Sequence, residues 1–228
     1  MDKTEISKAI KNGEYKSKAS LLRHHLSDIG FDLSLADLSG IVTSRINFSG
    51  VNLKSANLGG ASITESSMRK AYLRGTNLGG ANLSYTDFSG ADIQTANFGG
   101  ANLAYADFSR ASANGANLSG AYLGRAIMYK ADFSDCYMWG AYLKGADLSY
   151  ANLENAYLRG ADLKGAKIKS TRIYGTDLYG ANIKGAKIAS GSIRQLLCSA
   201  MIISTARAEA LSHSSILLIA KKKGLIIL

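Results

Sequence analysis

Residues 76–105 read TNLGG ANLSY TDFSG ADIQT ANFGG ANLAY, units of five in unbroken register. The third residue of each unit is Leu, Phe or Ile, and the first is Ala or Thr. A five-residue period matches neither the 3.6 of a helix nor the 2.0 of a strand, so neither is the repeating element. It fits one short, nearly extended segment followed by a turn.

Working outward from this stretch, the register runs from Leu33 to Ile193, 33 consecutive positions of which only Thr43 and Ala113 are not large and apolar. Two residues earlier in each unit stands a small residue, as at Ala56, Ala81, Ala96, Ala116, Ala141 and Ala166. Large and small inward positions therefore alternate.

A second, longer period lies on top of the first. Gly40, Gly60, Gly80, Gly100, Gly120, Gly140, Gly160 and Gly180 recur every twenty residues, while the next column reads Arg45, Glu65, Tyr85, Tyr105, Arg125 and then glycine. Such a ladder is expected if four units make one coil and one corner per coil needs a positive φ, or an approach that a Cβ would block. Stacking by twenty also predicts a wall of Phe48, Met68, Phe88 and Phe108. In another column the undersized Ala113 is followed by Phe133, which reads as volume compensation.

Units such as Ala81-Asn82-Leu83-Ser84-Tyr85 and Ala161-Asp162-Leu163-Lys164-Gly165 resemble the A(D/N)LXX consensus of the pentapeptide-repeat family over about residues 31–193. The resemblance implies an all-β solenoid, a right-handed quadrilateral parallel β-helix of about eight coils, roughly 38 Å long at the usual strand spacing. Residues 1–30, with helical patterning over 4–11 and 17–29, are expected to cap its N-terminal end. Residues 194–228 are expected to form a C-terminal cap or a dimerisation segment, with an apolar helix over 194–212. A homodimer through that end is one reading; family members often pair in this way.

The formal charge is +10: residues 1–30 carry 6 basic and 4 acidic side chains, residues 31–193 carry 16 and 12, and residues 194–228 carry 5 and 1. The excess is spread rather than gathered in one arm, which argues against nucleic acid as the partner. Cys136 and Cys198 are too few and too far apart for a disulfide framework, which points to a reducing, cytoplasmic setting. The first residues lack an apolar signal core, and the run Ile216–Ala220 is too short to span a membrane before Lys221.

No catalytic, metal or cofactor constellation is expected. His24, His25 and His213 lie outside the repeats, Cys136 takes a small inward position, and the aspartates are the repeat's own D/N choice. Glycine pairs such as Gly79-Gly80 precede no helix that would make a phosphate cradle. Two surface features remain. Tyr122, Tyr137, Trp139, Tyr142 and Tyr157 are predicted to form an exposed aromatic patch across the Gly120 and Gly140 corner, with Arg125 and Arg159 beside it. Lys144, Lys164 and Lys184 stack in one column and Lys167 and Lys187 in another, a basic band along the later coils.

These features predict a non-enzymatic module that presents a rigid surface to a protein partner. The family resemblance also implies two alternatives: a DNA-mimicking rod that protects gyrase, and a bacterial effector acting in a host cell. Mimicry needs an acidic surface, which a net basic rod lacks.

Overall fold

The computed structural model describes residues 31–188, 196 and 213–227. The helices predicted over 4–11, 17–29 and 194–212 lie outside them, except for Leu196, which is helical and buried.

Every strand contact within the repeats is parallel and joins a residue to the one twenty further on, from Asp32↔Asn52 to Asp162↔Asn182. Four units therefore make one coil. Longer ladders occur where β1 (Val42–Ser44) pairs β2 (Ser62–Thr64), and where β3 (Lys167–Ile168) pairs β4 (Lys187–Ile188). The rest of the chain pairs one residue per side per coil, in a right-handed quadrilateral β-helix.

Backbone bonding explains why this five-residue unit suffices. The N–H of the third and fifth residues donates to the next coil, as from Leu83 to Asn102 O and from Tyr85 to Ala104 O. The second N–H donates to the preceding coil, as from Asn82 to Ala61 O, and the first closes the corner, as from Ala81 to Leu78 O. Only the fourth N–H lacks a backbone acceptor. The Asp or Asn at the second position supplies one: Asp107 Oδ1 accepts from Ser109 N–H at 2.7 Å and Asn77 Oδ1 from Gly79 N–H at 3.1 Å. The consensus acidic or amide residue is thus the last donor's partner.

Asparagines at this position serve a second time. Asn77 donates to Asn57 Oδ1 at 2.9 Å, Asn97 to Asn77 and Asn117 to Asn97 at 3.0 Å each, and the chain of amides ends on Asp37 through Asn57. Gly59 and Gly79 make room for it, since a Cβ there would lie 3.0 and 3.1 Å from the amide nitrogens of Asn77 and Asn97.

The expectation that one corner per coil needs a positive φ requires correction. Every fifth residue from Leu35 to Gly185 has one, including the non-glycines Tyr85 at 60° and Tyr105 at 61°. All corners are four-residue turns whose third residue is left-handed. Nor does crowding single out the glycine column: a Cβ on Gly40, Gly60, Gly80, Gly100, Gly120, Gly140 or Gly160 would meet nothing within 4 Å, and on Gly180 only Gly160 N at 3.9 Å. Glycine here avoids the left-handed strain of about 1–2 kcal/mol that the other corners accept. No contact in the structure explains why this corner alone is uniform.

The core is a thin column of large and small side chains, buried throughout the described repeats except at Ala181, which is partly buried. Phe88 and Phe108 stack with centroids 4.9 Å apart, as the twenty-residue reading predicts, and Phe98 meets both edge-on. Phe133 leans edge-on against Phe108 at 5.9 Å, filling the side left open by Ala113. Where Thr or Cys replaces the small alanine, its polar atom finds a carbonyl: Thr76 Oγ1 donates to Leu53 O and Cys136 Sγ to Ala113 O at 2.9 Å.

The C-terminal segment closes the rod. Helix α1 (His213–Lys222) buries Ile216 and Ala220, with Lys221 and Lys222 in its last turn where the helix dipole favours cations. Strand β5 (Ile226–Ile227) then pairs β4 in parallel, and Gly185 N–H donates to Gly224 O. The tail thus supplies one further rung and pairs part of an otherwise open edge.

Candidate interaction surface

With the inward positions closed, chemistry is confined to the second, fourth and fifth residues of each unit. Among the described residues no group of His, Cys, Asp and Glu is arranged to hold a metal ion. Cys136 is wholly buried, and that burial pushes its thiol up to about 12. It packs as a small core residue.

The five predicted aromatics are exposed and form two ring clusters. Tyr122 and Tyr142 stack on one face, centroids 4.7 Å apart and ring planes nearly parallel. Tyr137 and Tyr157 stack on the adjoining face at 5.2 Å, with Trp139 edge-on to both at 5.5 and 6.1 Å. Among the described residues no ring contact joins the two clusters. Between them run Gly120, Gly140 and Gly160, a corner with no side chains.

Arg159 extends the second cluster, its guanidinium 4.9 Å from the Tyr179 ring and 3.4 Å from Asp177. Arg125 turns the other way, over Tyr105 at 5.8 Å, into a groove of about 480 Å³ lined also by Lys144 and Lys164. Lys184 stacks next in this column and packs near Gly224. In the second basic column Lys167 is paired with Asp147 at 3.0 Å. Partial burial raises the Asp147 carboxyl, but hydrogen bonds from Ser149 and Lys167 outweigh it and hold the group below its ordinary value. Lys187 stands next along the same ladder.

Sequence reasoning passed over two features. Tyr85 and Tyr105 stack at 4.8 Å on the corner below Arg125, and Tyr179 joins Arg159. The more telling signal was present in the repeat itself. Tyr122, Tyr137, Tyr142 and Tyr157 all stand at the second position, where Asp or Asn would satisfy the fourth N–H. Each forgoes a hydrogen bond worth about 0.5–1.5 kcal/mol.

A core of stacked small and large side chains under a variable polar surface defines a solenoid repeat protein. The sequence model of pentapeptide repeats matches in 8 copies, spanning residues 32–69, 64–100, 94–128, 126–165 and 141–185, and the chain belongs to that family.

Among solved structures, the chain is similar to HetL, a pentapeptide repeat protein involved in heterocyst differentiation regulation in the cyanobacterium Nostoc sp. strain PCC 7120. Identity is 27% over 71% of this chain and 76% of HetL, with a TM-score of 0.41. A pentapeptide repeat protein from the Arabidopsis thaliana thylakoid lumen shares 31% identity over 49% of this chain and 77% of its own, TM-score 0.47. Trypsin-treated QnrB1, a plasmid-mediated fluoroquinolone resistance protein, shares 16% over 77% and 97%, TM-score 0.42. No curated protein matches the chain. No helix among the described residues is long and apolar enough to cross a membrane.

Proposed function

We propose that the protein is a non-enzymatic interaction module that docks a protein partner on the aromatic clusters of its later coils. The observation that carries this reading is the placement of four tyrosines where the fold would be better served by Asp or Asn. Ring stacking offsets the lost bond at most in part, and a residue that departs from the local rule with so little net gain for the fold points to a role outside it. Exposed Tyr and Trp stacked on a rigid backbone lose little entropy on binding, and aromatic and Arg side chains are the usual anchors of protein interfaces. The side-chain-free corner between the clusters lets a partner reach both faces.

The proposal places the protein in a reducing compartment, the cytoplasm, because Cys136 is an unpaired buried thiol. It includes pairing of two rods through the C-terminal end, where Leu218 stays 56% exposed on the helix that closes the rod. Sedimentation of the intact chain at rising concentration checks that part.

The main test exchanges Tyr137 and Tyr157 for Asn. Both positions continue the ladder that ends at Asn117, so the variant should melt at the same temperature or higher. Proteins captured from cells of the source organism by the parent should be lost by this variant and retained by Tyr72→Asn, a control on another face. Capture that survives Tyr137→Asn/Tyr157→Asn, or a variant that no longer folds, removes the reading.

A further inference from the structure

Lys144, Lys164 and Lys184 form a straight row on the face that also carries Tyr122 and Tyr142. Their backbones stack directly: Arg125 N–H donates to Lys144 O, Gly145 N–H to Lys164 O and Gly165 N–H to Lys184 O. None of the three takes part in the five ion pairs among the described residues, which instead tie up Arg45, Arg69, Arg159, Lys167 and Arg172. Beside the row, Gly145 and Gly165 replace the corner side chains, and Tyr105 and Arg125 close one end of the resulting groove. Like charges at about one strand spacing repel. Asp162 stands on the same face and accepts from the Lys164 N–H at 3.0 Å, but among the described residues its carboxylate forms no ion pair with a lysine of the row.

We infer that this groove is a docking site for an acidic α-helix of a partner protein, laid along the rod with one line of carboxylates over the lysine row. Charge selects an anion; spacing selects its form. The lysines repeat at about 4.8 Å. Carboxylates on one helix face repeat every three to four residues, at about 4.5–6 Å, and stay in step over three rungs. Same-side residues of an extended peptide repeat at about 6.7 Å and fall out of step by the third lysine. Phosphates of a duplex follow a strand that winds away from a straight row, so the duplex meets few of the lysines in register. Arg125, in the adjoining corner column, adds a fourth cation beside the end of the row, and the Tyr105 ring gives the helix an apolar contact there.

This inference concerns the face that carries Tyr122 and Tyr142, across the glycine corner from the Tyr137 and Tyr157 cluster, and is tested separately. The probes are a fluorescent helix-forming peptide of about 20 residues with glutamates at i, i+4 and i+7, the same composition scrambled, and a duplex oligonucleotide. Fluorescence anisotropy on the full chain should show the patterned helix binding best, with affinity falling as salt rises. Lys144→Gln/Lys164→Gln should weaken it about tenfold, while Tyr137→Asn/Tyr157→Asn should leave it unchanged. Melting of the lysine variant by circular dichroism should match the parent, because both side chains are exposed. Equal binding of the scrambled peptide, tighter binding of the duplex, or indifference to the lysine changes would each overturn the assignment.

Discussion

Residues 31–115 carry six basic and six acidic side chains, whereas residues 116–188 carry ten and six. In the first region 12 of 17 second positions are Asp or Asn; in the second only 7 of 15 are, the others being Tyr, Ile, Lys and Arg. The backbone is the same in both, with the same bonds to the coils on either side and the same left-handed corners. What differs is how far the exposed positions serve the fold. Most early coils satisfy their corners with side-chain oxygens and tie several into an amide ladder, while at several later corners the second position offers the fourth N–H no Asp or Asn oxygen and displays rings and cations instead. The same division runs inside, where Phe88, Phe98 and Phe108 give way to Leu148, Ile168 and Ile188.

The sharpest way to break this comparison is in the core. Phe108→Ala should cost about 3–5 kcal/mol, because it removes a ring in contact with three others, and Leu148→Ala in the same column about 2–5 kcal/mol. Urea unfolding monitored by circular dichroism measures both. A larger loss at Leu148 would mean that the aromatic wall is not the stronger part of the rod. In a solenoid each change acts mainly on adjoining coils, so hydrogen exchange should report the losses in different segments.

Exchanging surface residues between the regions gives a smaller effect. Asn97→Tyr should destabilise by about 1–2 kcal/mol, since it removes the acceptor of Gly99 N–H and two ladder bonds. The reverse change, Tyr142→Asn, should stay within about 0.5 kcal/mol: it supplies an acceptor for Lys144 N–H but loses the stack on Tyr122. If both changes cost the same, the later tyrosines serve the fold as much as the asparagines do.

Acid should distinguish the regions least. Partial burial raises the Asp87 carboxyl, but hydrogen bonds from Ser89 and Arg69 outweigh it and hold the group low, the same balance as at Asp147. A carboxyl with a depressed folded value contributes stability that is present above its unfolded value of about 3.9 and lost as pH falls through the folded one. Both aspartates should therefore titrate below that point in carboxyl-carbon NMR. Arg69→Gln should raise the Asp87 value and Lys167→Gln that of Asp147. An aspartate that titrates at its ordinary value in the parent would remove its part in acid stability.

Reading the site proved less direct than reading the fold. Tyr137 and Tyr157 could be placed in one column by counting twenties, and their stacking followed. That Tyr122 and Tyr142 form a separate cluster could not be read, because the glycine corner sets how far apart adjoining faces hold their rings. Arg125 was assigned beside the aromatics by sequence proximity, yet it lies over Tyr105; side chains on neighbouring coils compete with those on neighbouring faces. The departure of the tyrosines from the Asp/Asn position was visible all along, but its meaning needed the backbone bonds that identify the fourth N–H as the unpaired donor.

The glycine ladder shows the same division. Sequence alone determined the five-residue unit, the twenty-residue coil, the inward column and the inner phenylalanine stack, because each follows from a period that a rigid backbone repeats without slippage. Only the tertiary structure decided that all four corners are left-handed, that the tail returns to add a rung on β4, and which cations find a counter-ion. Those outcomes depend on contacts between residues about twenty or more apart and on the direction each side chain takes, and a period fixes neither.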